Sequence, residues 1–147
     1  NRNHYMRPMV IIAIETAMRR GEILGLQWEH INLKKRTAYL PITKNGEPRT
    51  IPLSSRAVKT IQQMPRSIDG RVFAINAAAM ETCFKRGRER ALLPDIHFHD
   101  LRHTATTRLA GKLSNILELS AITGHKELRM LKRYYHPKAE DLAKKLG

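Results

Sequence analysis

The chain has few acidic residues and almost no cysteine. Asp and Glu number 13 against 27 Lys plus Arg, which leaves a net charge of +14 at neutral pH and a pI near 10.5. With a single cysteine, Cys83, no internal disulfide can form. That usage suits a reducing cytoplasm, with Cys83 packed quietly in a helix. No apolar run approaches the ~18 residues of a membrane-spanning helix. No lysine-rich amphipathic segment dominates, so a membrane surface is a poor partner. Internal repeats, low-complexity tracts and a signal peptide are not visible. The chain opens Asn1-Arg2-Asn3 without an initiator methionine and is expected to be a fragment.

What is present points to one soluble domain. A length of 147 residues with 41% apolar content is enough to bury a core. The cationic excess favours a polyanion, either DNA or RNA. Composition alone leaves a ribosomal or otherwise generic basic protein as an open alternative.

The periodicity and capping signals predict a mostly helical chain. Helices are expected over Pro8–Arg19 and Glu22–Leu26, with Pro8 in a first turn. Thr37–Ile42 and Arg49–Leu53 read as strands joined by a turn containing Asn45-Gly46. Ser54-Ser55 caps a helix to Met64, and Arg71–Ile75 is extended. Asn76 caps a basic helix to about Ala91. A helix over His99–Gly111 is stopped by Gly111. Ser114-Asn115 caps the next, ending at Gly124. Lys126–Tyr135 and Lys138–Leu146 complete the set. The expected class is α+β: a mainly helical domain with a small antiparallel sheet near the N-terminal third.

Several side chains suggest chemistry on a phosphodiester. His99 and Arg102 are spaced to share a helix face, and an arginine fork matches two phosphate oxygens. Arg19 and Glu22 share a face too, although charge alone does not separate Arg19 from Arg20. Lys44 at a hairpin tip can protonate a leaving oxygen. His125 follows Gly124, which permits positive φ. A straight helix would put His125 and Tyr134 on opposite sides, so a shared site requires a bend near Lys126-Glu127. The spacing Leu128, Leu131, Tyr135 puts Tyr135 on a buried stripe and leaves Tyr134 free to face a cleft. A competing metal site, built from His97, His99 and His103, is weak: the position after the first helix histidine holds Asp100, where a zinc-protease helix needs glutamate.

Taken in order, Thr16–Trp28 with Arg19-Arg20-Gly21-Glu22, Thr43-Lys44-Asn45-Gly46 leading to Arg49–Leu53, His99-Asp100-Leu101-Arg102-His103, Thr123-Gly124-His125 and Arg133-Tyr134-Tyr135-His136 resemble the catalytic domain of the tyrosine recombinases, the phage integrase family. The resemblance covers nearly the whole chain, 1–147, as one catalytic domain. It implies Arg19 and Arg102 as the phosphate-clamping arginines, Glu22 as an acidic companion, Lys44 as the hairpin lysine, and His99 and His125 as the site histidines. It also implies Tyr134 as the nucleophile. Tyr135 departs from the pattern, since small residues are common there. The preceding helical domain with which relatives clasp the other face of DNA is not in this sequence.

The activity implied is a site-specific recombinase or integrase working through a 3′-phosphotyrosine, without metal, ATP or other cofactor. The implied partner is double-stranded DNA carrying recombination sites. A homotetramer on synapsed DNA is expected from a chain monomeric in isolation, with accessory directionality proteins as further partners, in a bacterial or phage-encoded, nucleoid-associated setting. Lys85, Arg86, Arg88, Arg90, Arg129, Lys132 and Arg133 are candidate DNA-backbone contacts. Two alternatives stand beside this reading: a type IB topoisomerase-like enzyme and a non-catalytic basic DNA-binding module.

Overall fold

A computed structural model describes residues 4–147. Helix α1 (Met6–Thr16) is the central strut, packed against α2 (Arg20–Leu24), α3 (Ser55–Gln62), α4 (Ala77–Arg90) and α5 (Phe98–Lys112). Its first turn has no acidic residue and no side-chain cap, so packing is what holds it. Met9, Ile12, Ala13 and Thr16 recur at one face and are all buried. Met9, Ile12 and Ala13, together with Met18, Ile23, Leu26, Ile51, Ile61, Phe73 and Met80, form the core, each large side chain contributing roughly 1.5–3 kcal/mol on burial.

Three caps anticipated from sequence are formed. Ser54 Oγ accepts from the Ala57 N–H at 3.1 Å, Asn76 Oδ1 from Ala79 at 2.8 Å, and Asn115 Oδ1 from Leu117 at 2.8 Å. Cys83 is buried in α4. The sheet has an extra strand that sequence did not suggest. Its order is β1 (Ile31–Asn32), β2 (Thr37–Leu40), β3 (Arg49–Pro52), antiparallel throughout. Two residues of β1 are too few to carry a periodic signal. Arg71–Ile75 is irregular apart from an isolated bridge, Gln27 to Arg71, and buries Val72 and Phe73 in the core.

Helix α1 stops at Thr16 instead of running to Arg19. Ala17 takes the left-handed conformation, φ 59°, and turns the chain. For a non-glycine residue that costs about 1 kcal/mol or more. Thr16 Oγ1, which accepts from Met18 N–H at 3.2 Å, helps hold the turn. Gly111 does not stop α5, which continues to Lys112. After α6 (Ile116–Thr123) the chain reverses at Gly124, φ 77°.

The expected helix over Lys126–Tyr135 is not there. Two single 3₁₀ turns, Leu128–Met130 and Lys132–Tyr134, take its place. Of the three residues on the proposed stripe, Leu131 is buried, Tyr135 is half-buried and Leu128 is exposed. A continuous helix would have buried all three. Helix α7 (Ala139–Leu146) follows and has no buried residue. Among the described residues no helix is long and apolar enough to cross a membrane.

Candidate functional site

The turn at Ala17 matters for what it presents. Its carbonyl accepts a bond from Arg102 Nη1 at 2.5 Å, while Arg102 Nη2 donates to the Thr123 carbonyl at 2.7 Å. Both carbonyls lie at helix ends, where backbone acceptors have no partner within the helix. A buried guanidinium satisfies them and is fixed by them. Arg102 is 5% exposed, and desolvation, then the charge of Arg19, lowers its pKa to about 10. Among the charges that favour its ionised form are Glu22 and the Tyr134 oxygen.

Arg19 stands in the extended residue just before α2, and its N–H donates to Glu22 Oε1 at 2.9 Å. Glu22 therefore caps the helix as well as balancing charge. Burial acts to raise its pKa, but bonds from the Arg49 guanidinium and the Arg19 N–H outweigh this and hold the carboxyl below its usual range. Arg19 Nη1 is buried with no hydrogen-bond acceptor, 3.8 Å from Glu22 Oε2. An N–H left in that condition is costly unless an anion arrives. Arg20 turns outward to Glu81.

Arg49 was not nominated from sequence. It holds Glu22 through two nitrogens and donates Nε–H to the Ile122 carbonyl at 3.1 Å. Its position in an R-x-I-P-L strand was visible, but a strand arginine is ordinarily a solvent-facing residue, so nothing local marked it.

Arg19, Lys44, His99 and Arg102 line one open cleft of about 610 Å³, with Lys85 and Arg88 on its rim. Desolvation and the cations Arg102, Arg19 and Lys44 depress the His99 pKa. The loop carrying Lys44 is tied down by its neighbour: Asn45 Nδ2 donates to the Gly124 carbonyl. His125 borders a neighbouring hollow with Arg49 and is linked to Arg102 through Thr123. The Thr123 carbonyl takes Arg102, and its Oγ1 is 2.7 Å from His125 Nδ1. Burial, then Arg102 and Arg19, lower the His125 pKa to about 4, so the ring is neutral at pH 7.

The chain does bend after His125, through non-helical Lys126-Glu127 and the two 3₁₀ turns that follow. Tyr134 nevertheless stands to one side of the cleft. Its hydroxyl is 2.7 Å from His103 Nδ1 and 3.0 Å from Arg133 Nη2. Tyr135 uses its hydroxyl structurally, donating to the Leu113 carbonyl at 2.9 Å.

The basic candidates separate. Lys85 and Arg88 reach the cleft, although Arg88 also donates to the Ile96 carbonyl at 2.9 Å. Arg86 faces another hollow beside Tyr5 and Cys83. Arg129 pairs with Glu127 at 2.5 Å. Lys132 borders a groove next to α7, Arg133 is bound to Tyr134, and Arg90 lies in the last turn of α4. His97, His99 and His103 do not converge; among the described residues no three metal-type ligands gather. Asp100, the residue in the glutamate position, instead accepts from the His97 N–H at 2.7 Å at the start of α5.

The chain is 47% identical over 137 residues to the shufflon-specific DNA recombinase of Escherichia coli, covering 92% of this chain and 35% of that protein. The catalytic domain of bacteriophage HP1 integrase superposes with TM-score 0.70 at 27% identity, covering 94% of this chain and 79% of that one. The fold is shared with the Tn1549 transposon integrase in complex with circular intermediate DNA, TM-score 0.74 at 22% identity, over 99% of this chain and 57% of that one. The chain thus spans about a third of the length of the shufflon recombinase. The phage integrase family model matches residues 2–141. An ordered set of motifs, a matching fold and a family match along nearly the whole length lead to one conclusion: the chain belongs to the phage integrase family.

Proposed function

We propose that residues 1–147 are the catalytic domain of a site-specific DNA recombinase, which cleaves and rejoins strands through a 3′-phosphotyrosine. The observation that carries this reading is the cleft in which Arg19, Lys44, His99 and Arg102 meet.

In this reading Arg19 and Arg102 hold the non-bridging oxygens of one phosphodiester and stabilise the charge of the transition state. With the Thr123 hydroxyl donating to Nδ1, neutral His125 keeps its proton on Nε2 and offers it to the same phosphate. Tyr134 attacks in line, and Lys44 protonates the 5′-oxygen that leaves. His99 orients the phosphate. The phosphotyrosine conserves the energy of the broken bond, so a 5′-hydroxyl from another strand reseals the DNA without ATP. The guanidinium groups and the ammonium supply the charge neutralisation that metal ions give in other phosphoryl-transfer sites.

The wider setting is part of the proposal. A preceding clasping domain in the whole protein completes the grip on double-stranded DNA bearing recombination sites. A homotetramer forms on synapsed DNA, with directionality set by accessory proteins, in the cytoplasm. The exposed Leu142 and Leu146 of α7 suit docking on a neighbouring protomer. Cross-links from α7 that are only intramolecular in the assembled complex would argue against that docking.

The test uses the full-length protein, a nicked duplex that cannot religate, and EDTA. An SDS-resistant adduct is expected, lost with Tyr134→Phe and retained with Tyr135→Phe. No adduct from the wild-type protein defeats the reading. Relaxation of supercoils without paired sites would move the function to topoisomerase-like strand passage.

A further inference from the structure

We propose that His103 is the proton acceptor for the Tyr134 hydroxyl. The inference rests on the strand-transfer reading above and adds a group to it that the motif resemblance did not nominate.

Three atoms form a closed triangle: the Tyr134 oxygen, His103 Nδ1 at 2.7 Å from it, and Arg133 Nη2 at 3.0 Å from the oxygen and 3.1 Å from Nδ1. A guanidinium nitrogen only donates, so the phenol oxygen accepts from Arg133 Nη2. With that oxygen already accepting, the phenol's own proton is free to point at Nδ1, whose single lone pair takes the shorter contact, 2.7 Å against 3.1 Å to Arg133. Tyr134 donates, Nδ1 accepts, and the neutral imidazole carries its hydrogen on Nε2. This is the arrangement of a nucleophile with its base, at the heavy-atom distance such a transfer needs. Arg133 faces the oxygen that gains negative charge during attack.

The other histidines are committed elsewhere. His99 lies in the cleft among Arg19, Lys44 and Arg102, and His125 Nδ1 is held by Thr123. No hydrogen bond of either to the phenol is present. His103 is one residue past Arg102 on α5. Phosphate clamp and proton acceptor therefore occupy adjacent positions of one rigid helix, about 100° apart around its axis.

The step balances. As the phenol oxygen bonds to phosphorus, its proton passes to His103 Nδ1 and gives an imidazolium. The P–O5′ bond breaks, and the leaving oxygen takes a proton from Lys44. In resealing, Lys44 recovers a proton from the attacking 5′-hydroxyl, and His103 returns one to the departing phenol.

The experiment measures single-turnover adduct formation by the full-length protein on the nicked duplex, with DNA affinity followed in parallel. His103→Ala should slow adduct formation by about 100-fold or more with affinity unchanged. His103→Gln keeps an acceptor beside the phenol but cannot carry the proton, and should stay slow. Free imidazole should restore part of the rate to the alanine variant and none to the glutamine variant. A wild-type or faster rate in His103→Ala would make the contact a resting latch and overturn the proposal. Full rate in His103→Gln would reduce His103 to a positioning residue and overturn it equally. In both cases a Tyr134-dependent adduct would persist, whereas failure of the strand-transfer reading itself would appear as no adduct from the wild-type protein.

Discussion

Glu22 and Arg49, 27 residues apart, meet in a two-point ion pair, with Nη1 2.5 Å from Oε2 and Nη2 2.9 Å from Oε1. The Glu22 side chain is 4% exposed and that of Arg49 11%. Through this pair and the Arg49 bond to Ile122, helix α2, strand β3 and helix α6 share one polar joint. Arg49→Ala strands a carboxylate in the interior, so the free energy of unfolding should fall by about 3–5 kcal/mol. Urea denaturation checks this. The pH dependence follows from the direction of the Glu22 shift. Its folded pKa lies below the ordinary 4.5, so its stabilisation is complete above that value and is lost as pH falls through the folded pKa. The gap between wild type and variant should narrow in acid. A gap unchanged with acidification would mean that the pair is not what the substitution removes.

His125 should titrate far from an ordinary histidine. In the free protein its ring resonances are expected to shift with a midpoint of about 4. A phosphate anion in the cleft favours the charged form, so the midpoint should rise when a DNA duplex is bound. NMR of the histidine side chains with and without duplex gives both values. The same shift predicts a stability effect. Because the folded pKa lies below the ordinary histidine value of 6.5, the unfolded chain takes up this proton first as pH falls, and stability is lost from about 6.5 down to about 4.

Arg102→Ala should separate binding from chemistry. Adduct formation is expected to drop on the order of 100- to 1,000-fold, the range for removing a transition-state donor, with DNA affinity nearly intact by gel shift. Equal loss of both would make Arg102 a residue that only positions DNA. Thermal stability should also fall, because the carbonyls of Ala17 and Thr123 lose their partner. Arg102→Lys keeps the charge but has one nitrogen for two carbonyls, and is expected to cleave slowly as well.

The rim cations should register in salt dependence. Lys85→Gln, at the cleft, should lower the slope of log affinity against log salt by about 0.9, without changing sequence preference. Arg86→Gln, which faces a different hollow, should leave the slope unchanged. Titrations of affinity between low and moderate salt distinguish them.

How legible the fold was depended on whether the cause was local. Ser54, Asn76 and Asn115 bond to backbone N–H groups two or three residues away, and each was readable as a cap. The left-handed turn at Ala17 was not, because it is held partly by an arginine 85 residues away in sequence. The segment after Gly124 misled for a related reason. Its apolar spacing fits a helix, but the chain reverses at Gly124 and forms only isolated turns, with Leu131 alone of the stripe buried. Of the residues that motif order nominates, Arg19, Lys44, His99 and Arg102 meet in one cleft, while His125 and Tyr134 border it from other segments. Arg49 escaped and His103 was weighed only as a metal ligand, since their contacts are with residues distant in sequence.

Between Lys126 and Gly147, Leu131 is the one buried side chain. From Lys126 onward, the Tyr134 phenol included, the chain therefore hangs from a single apolar peg, supplemented by the surface bonds of Lys126, Tyr134, Arg133 and Tyr135. Releasing the arm costs little compared with unfolding the body. The guanidinium groups of Arg102 and Arg19 are seated in the packed body, whereas the phenol proposed to attack phosphorus is carried by a segment with little packing of its own.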